Sequence, residues 1–300
     1  MANGSQQRGG SSDRKKGASA KKQGSAKKPG SSGSKSGKRD YGKAASGRYG
    51  KAASGRYGKK DTRGGGKGAQ SSQRAGGGTK DRRRDLKGAA VNLPNWVVEE
   101  LTRITPKERV AGALEALGEA SAAFSEGRYH QAMKWAEQAK AMSSRDATTR
   151  ELLGLSAYRV GDWGTALREL RTYRRLAGET THMPVEMDCL RALGRRDDVG
   201  VVWEELQRRG GRPGVLKEGK VVYASMLIDE GAIDEARRLV APRGLKTDAF
   251  PEDLRLWYVA ARAAALDGDP EEARRLRNAI LAADPGFPGI DELESLIAAA

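Results

Sequence analysis

The sequence predicts an all-α protein: a helix–turn–helix α-solenoid of about five repeats, preceded by an intrinsically disordered tail. Three observations carry that expectation. Composition changes abruptly near residue 90. Behind that point a glycine stands five residues ahead of a small residue again and again, at intervals of 34, 33, 37 and 37 residues. Segments with apolar residues at helical spacing bracket the array at both ends.

The division near residue 90 is one of charge as well as texture. Residues 1–90 hold 25 Lys+Arg and 5 Asp, a net of +20, whereas residues 91–300 sum to −4. The whole-chain charge of +16 therefore belongs to the N-terminal segment. That segment is Gly, Ser, Lys, Arg, Ala and Gln, with Leu86 its sole large aliphatic side chain after Met1. Such a stretch cannot bury enough apolar surface to offset an ordering entropy of about 1–2 kcal/mol per residue. A flexible coil is expected over residues 1–90. The Arg-, Ala-, Gly- and Val-rich remainder has the composition expected of a high-GC, bacterial genome.

Within the basic segment, "YGKAASGRYGKAASGRYGKK" repeats with a period of eight. Tyr41, Tyr49 and Tyr57 fall in register, interleaved with Arg48 and Arg56 and followed by Lys59, Lys60 and Arg63. Cations on a flexible chain neutralise phosphates and release counterions. Aromatic rings between glycines can lie flat on unpaired bases. The segment resembles the Arg/Gly-rich tails of RNA-binding proteins, which implies a nucleic acid partner, RNA before DNA, or a ribosome. Attraction to another polyanion and service as a passive tether fit the same residues. An autoinhibitory tether that folds back on the acidic remainder is a further alternative.

From Val91 the pattern becomes helical. Leu93, Trp96, Val97, Glu100, Leu101 and Ile104 fall largely on one face, and Pro94 suits a first helical turn. A leading cap is expected over 91–106. The repeats follow across 107–288, near 110–144, 147–178, 181–210, 217–244 and 252–285. Gly127, Gly161, Gly194, Gly231 and Gly268 mark the turns, and Ala132, Ala166, Val199, Ala236 and Ala273 the small positions. A glycine ends the first helix of each pair, and a small residue lets the second helix approach closely. In the last repeat Asp269 is placed to cap and Pro270 to open the second helix. Residues 289–300, with Ile290, Leu293, Leu296 and Ile297, read as a trailing cap.

This pattern resembles the tetratricopeptide repeat, a 34-residue helix–turn–helix unit. Gly154, Ala157, Gly161 and Ala166 match it in the second repeat, and Trp257, Ala261, Ala264, Gly268, Ala273 and Pro285 in the fifth. The third and fourth match by spacing; Pro184 is unusual, and the fourth lacks a terminal proline. The resemblance implies a protein partner held in a groove lined by the first helix of each repeat. By repeat position that lining includes Leu114, Leu117, Ser121, Thr148, Glu151, Tyr158, Arg159, Asp188, Arg191, Ser225, Asp229, Arg255, Tyr258 and Arg262. Leu117 and Ser121 stand where carboxylate-clamping members carry Lys and Asn, which argues against that partner class. Arg255, Tyr258 and Arg262 are spaced by three and four and form the candidate patch for an acidic peptide or a phosphate.

Enzymatic signatures are missing from the sequence. His130 and His182 with Cys189 do not make a structural zinc spacing, and no phosphate loop, nucleophile elbow or metalloprotease helix is present. No catalysis, metal or cofactor is expected. Cys189, Trp135, Trp163, Trp203 and Trp257 are expected in the core rather than as ligand platforms. Without a signal-type apolar segment or a membrane-length run, the expected compartment is the cytoplasm.

Overall fold

The computed structural model describes residues 88–300. A short 3₁₀ turn, Gly88–Asn92, leads into α1 (Asn95–Ile104). Five antiparallel helix pairs follow. They are α2 (Lys107–Ser125) with α3 (Tyr129–Met142), α4 (Ala147–Val160) with α5 (Trp163–Ala177), and α6 (Met183–Ala192) with α7 (Arg196–Arg209). Then come α8 (Pro213–Asp229) with α9 (Ile233–Val240), and α10 (Pro251–Leu266) with α11 (Pro270–Ala283). Helix α12 (Ile290–Ala299) ends the array. Each second helix packs on the first helix of the next pair, and α8 also packs on both α6 and α10. The result is an all-helical, tetratricopeptide-like solenoid.

The turns show why the glycines recur. Gly127, Gly161, Gly194, Gly231 and Gly268 have φ between 72° and 84°. At Gly161, φ is 84°, a conformation in which a Cβ would crowd the backbone. Its N–H donates to Tyr158 O at 3.2 Å, and the next N–H, of Asp162, donates to Ala157 O at 2.9 Å. The same two bonds close the other four turns, including those of the irregular middle repeats. They satisfy carbonyls that a helix end leaves open.

Packing between paired helices depends on small residues. Ala132, Ala166, Val199, Ala236 and Ala273 are all fully buried. At Gly154 an added Cβ would lie 2.7 Å from Leu170 Cγ and 3.2 Å from the Leu170 backbone nitrogen, so α4 and α5 approach here only without a side chain. Gly219 does the same between neighbouring pairs, where a Cβ would meet Leu206 Cδ2 at 2.6 Å. Asp269 caps α11 by accepting from Glu272 N at 3.1 Å.

Two local expectations are corrected. Trp96 is 46% exposed, while Leu93, Val97, Val98 and Leu101 carry the buried face of the leading segment. The 100° helical step places Trp96 at the edge of that stripe rather than within it. The 3₁₀ turn packs on α2 ahead of the expected cap. The fourth pair has no proline at the terminal slot, but Pro242, six residues after Ala236, ends its second helix early. Ala241 before it leaves the helical conformation (φ −49°, ψ 119°), so α9 has only 8 residues. At the far end Leu293 and Ile297 of α12 are buried, and α12 packs on α10 and α11.

Candidate functional site: a polar row across the first helices

Tyr158 closes the last turn of α4 and is completely buried. Its ring meets Trp163 edge-on, with centroids 5.4 Å apart. Its hydroxyl donates to Asp188 Oδ2 on α6 at 2.6 Å. One turn along α6, Arg191 Nη1 donates to Asp188 Oδ1 at 3.1 Å, and Arg191 Nε donates to Asp229 Oδ2 on α8 at 2.8 Å. A single chain of charge-assisted bonds therefore joins the first helices of three successive pairs. Burial by itself would lower the Arg191 pKa, but Asp188 and Asp229 outweigh it and hold the guanidinium above the ordinary arginine value. Beside this row lies a cavity of about 140 Å³ walled by Trp163, Asp188, Arg191, Arg196, Met226 and Asp229.

The row has a counterpart between α8 and α10. Arg255 Nε donates to Glu218 Oε1 at 2.6 Å, and Lys217 Nζ lies 2.6 Å from Asp253 Oδ1. Glu218 is buried, and Arg255 is held rather than free. Tyr258 does not join Arg255 on an open patch. It is buried, packs on Phe287 at 5.6 Å, and has its hydroxyl against the Gly289 turn. At Gly289, with φ 86°, a Cβ would sit 2.7 Å from that oxygen. Arg262 is half-buried and makes no ion pair among the described residues. Arg159 lies with its guanidinium carbon 4.1 Å from the Tyr129 ring centroid, tying α4 to α3 by a cation–π contact.

The structure places the other expected lining residues differently. Leu114 and Leu117 belong to the buried core, on a helix that carries both the 3₁₀ turn and α1. Thr148, Glu151 and Ser225 are also buried; Glu151 Oε1 sits 2.6 Å from His182 Nε2, and Ser225 Oγ donates to Val221 O. Ser121 is half-exposed. The packing of α8 on α6 and α10 places inward side chains such as Ser225 in contact instead of in solvent. The expected nucleic-acid residues Tyr41, Arg48, Tyr49, Arg56, Tyr57, Lys59, Lys60 and Arg63 lie outside the described residues.

Glu169 and Glu186 are among the buried carboxylates that the sequence reading missed. Glu169 on α5 is paired with Arg150 Nη1 at 2.5 Å and Lys140 at 3.2 Å. Burial raises its pKa, but those two cations reverse the effect and leave it lowered. Glu186 on α6 is fully buried 3.1 Å from Arg174 Nε, whose Nη1 is also held by Glu205 at 2.7 Å. Burial pushes Glu186 up to about 7 despite the arginines. A signal existed for both: each interrupts an apolar stripe, Glu169 between Ala166 and Tyr173, Glu186 between Met183 and Leu190. Cys189 is fully buried, and burial raises its thiol well above the ordinary value, which suits a packing role. Among the described residues no helix is long and apolar enough to cross a membrane.

No family model matches the chain, and no curated protein matches it. Among solved structures it is similar to YrrB, described as a TPR protein with an unusual peptide-binding site. That match covers 66% of this chain and 99% of that one, at 18% identity and a TM-score of 0.44.

Proposed function

We propose that the chain is a non-catalytic adaptor that binds a protein segment along the first helices of its solenoid and a nucleic acid, RNA before DNA, through its basic N-terminal segment. The observation that carries the first half is the polar row Tyr158–Asp188–Arg191–Asp229, which continues in kind at Glu218–Arg255. Partly exposed charges locked in place by buried partners lose little entropy on binding. A surface of this kind recognises a partner's polar groups at fixed positions. Support for the second half is the net +20 of residues 1–90 and the Tyr-bearing octads within it.

Two measurements test the adaptor. Immobilised full-length chain is expected to capture a partner from its own cells, and Arg255→Glu with Arg262→Glu to lose it; capture unaffected by both would remove the inner face from consideration. In fluorescence anisotropy, full-length chain is expected to bind a single-stranded RNA and residues 91–300 not to. The affinity should fall with salt at a logarithmic slope of about 0.7 per phosphate contacted. Tyr41→Ala, Tyr49→Ala and Tyr57→Ala together leave the charge intact, so an unchanged affinity would eliminate base stacking. The opposite charges of the two halves favour a second reading, in which the solenoid binds protein alone and the basic segment is a solubilising or autoinhibitory tether. Stronger partner capture after removal of the segment would favour it.

A further inference from the structure

We propose that the cavity between α6 and α8 is a socket for one basic side chain, Lys or Arg, presented by an extended peptide. This rests on the reading of the inner face as a protein-binding surface and names the chemistry it selects.

Three features of the cavity point to a cation. Its charges fall one short of balance: Asp188, Asp229 and, behind the rim, Glu230 face two guanidiniums, Arg191 and Arg196, which leaves one net negative charge among the five. Its hydrogen bonds do not balance either. Asp188 uses both oxygens, Oδ1 toward Arg191 and Oδ2 toward Tyr158. Asp229 uses Oδ2, and its Oδ1 accepts from no described residue. Asp229 lines the cavity, so its carboxylate has acceptor capacity to spare for an occupant. The third feature is the wall. Trp163 and Met226 line the same cavity as the carboxylates. An aromatic face and a thioether suit the methylene stem of Lys or Arg and attract its charged head.

Size and rigidity agree with that occupant. A volume of about 140 Å³ admits one long side chain and no folded element. Trp163 is braced edge-on by the buried Tyr158 ring, and Tyr158 is itself fastened to Asp188. The wall and the floor are therefore one preformed unit. Arg196 at the rim opposes an incoming cation. It is half-exposed and lies 3.7 Å from Glu230, which counters its charge and leaves it room to swing outward. Peptides of the required kind are present in the chain itself, where each octad isolates one Lys and one Arg among Ala, Ser and Gly. That segment is therefore the occupant, matched to the socket by charge.

The test uses a fluorescein-labelled peptide, GKAASGRYGK, copied from residues 50–59. It is titrated with full-length chain at low salt, beside a control in which every Lys and Arg is Gln. The cationic peptide is expected to bind, and the control to bind about tenfold more weakly or worse, the loss expected for hydrogen bonds to charged groups. Asp229→Asn should weaken the cationic peptide to a similar degree. Trp163→Leu should weaken it as well, in a variant whose circular dichroism is unchanged. Equal binding of the two peptides, or full affinity in Asp229→Asn, overturns the socket. A chain with Lys43, Arg48, Lys51, Arg56, Lys59 and Lys60 changed to Gln separates the sources. Tighter binding of the free peptide to it identifies the chain's own segment as the occupant; unchanged binding assigns the socket to another protein. If Arg255→Glu with Arg262→Glu abolishes partner capture while the peptide does not bind, the inner-face reading stands and the socket falls. If capture is also unaffected, both fall.

Discussion

Replacing Glu186 with Gln should stabilise the protein above neutral pH and do nothing in acid. Glu186 is fully buried on α6 against Arg171 and Arg174 of α5, and burial pushes its carboxyl from 4.5 up to about 7. Between those two values the folded chain holds a proton that the unfolded chain has released, so stability falls as pH rises through the window. At about pH 8 the carboxylate is ionised in both states, and the folded state carries the full cost. By the free energy of one pKa unit, that cost is about 3 kcal/mol relative to the neutral group. Glutamine has nearly the same shape and no charge at any pH. Urea unfolding followed by circular dichroism should therefore show Glu186→Gln more stable by about 3 kcal/mol near pH 8, the gap narrowing below 7 and closing near 4.5. Other titrating groups are common to both proteins and cancel in the difference. A gap independent of pH, or a variant less stable near pH 8, would mean that the pairing with Arg174 outweighs desolvation and that the reasoning fails.

The remaining predictions concern the geometry that holds the row. Gly154→Ala gains about 1 kcal/mol of helix propensity but forces a methyl to 3.2 Å from the Leu170 backbone nitrogen, an overpacking cost of about 1–3 kcal/mol. A net loss near 1 kcal/mol is expected in urea titration, whereas Gly200→Ala on α7, which meets nothing within 4 Å, should gain stability; equal effects would refute the close-approach argument. Asp146 caps α4, accepting from Thr149 N at 2.6 Å and Thr149 Oγ1 at 2.5 Å. Asp146→Ala should cost about 2 kcal/mol and Asp146→Asn much less. A midpoint shift as large for Asn as for Ala would show that the charge rather than the cap matters.

Much of this fold was legible without coordinates because its signals are local. Each of the five turn glycines sits where two short-range hydrogen bonds demand a positive φ, and those bonds close within six residues of sequence. The small residue five positions on is set by the close approach of the helix just begun. Asp269 and Pro270 act within one helical turn. Such features read directly from spacing, even in the third and fourth repeats where little else matched.

The site was legible only as a set of candidates. Position in the repeat marked Tyr158, Asp188, Arg191 and Asp229 as sharing a face, but also Leu114, Leu117, Thr148 and Tyr258, which take no part in the row. What separates the two groups is how tightly neighbouring first helices pack and what covers each end. Tyr158 reaches Asp188 across 30 residues of sequence, and Arg191 reaches Asp229 across 38. Side-chain partners at that distance depend on the stagger between helices, to within an ångström or two. Repeat spacing in the sequence determined which residues turn and which cross. Only the tertiary structure decided which charges meet, because a hydrogen bond requires an alignment between helices that no periodicity encodes.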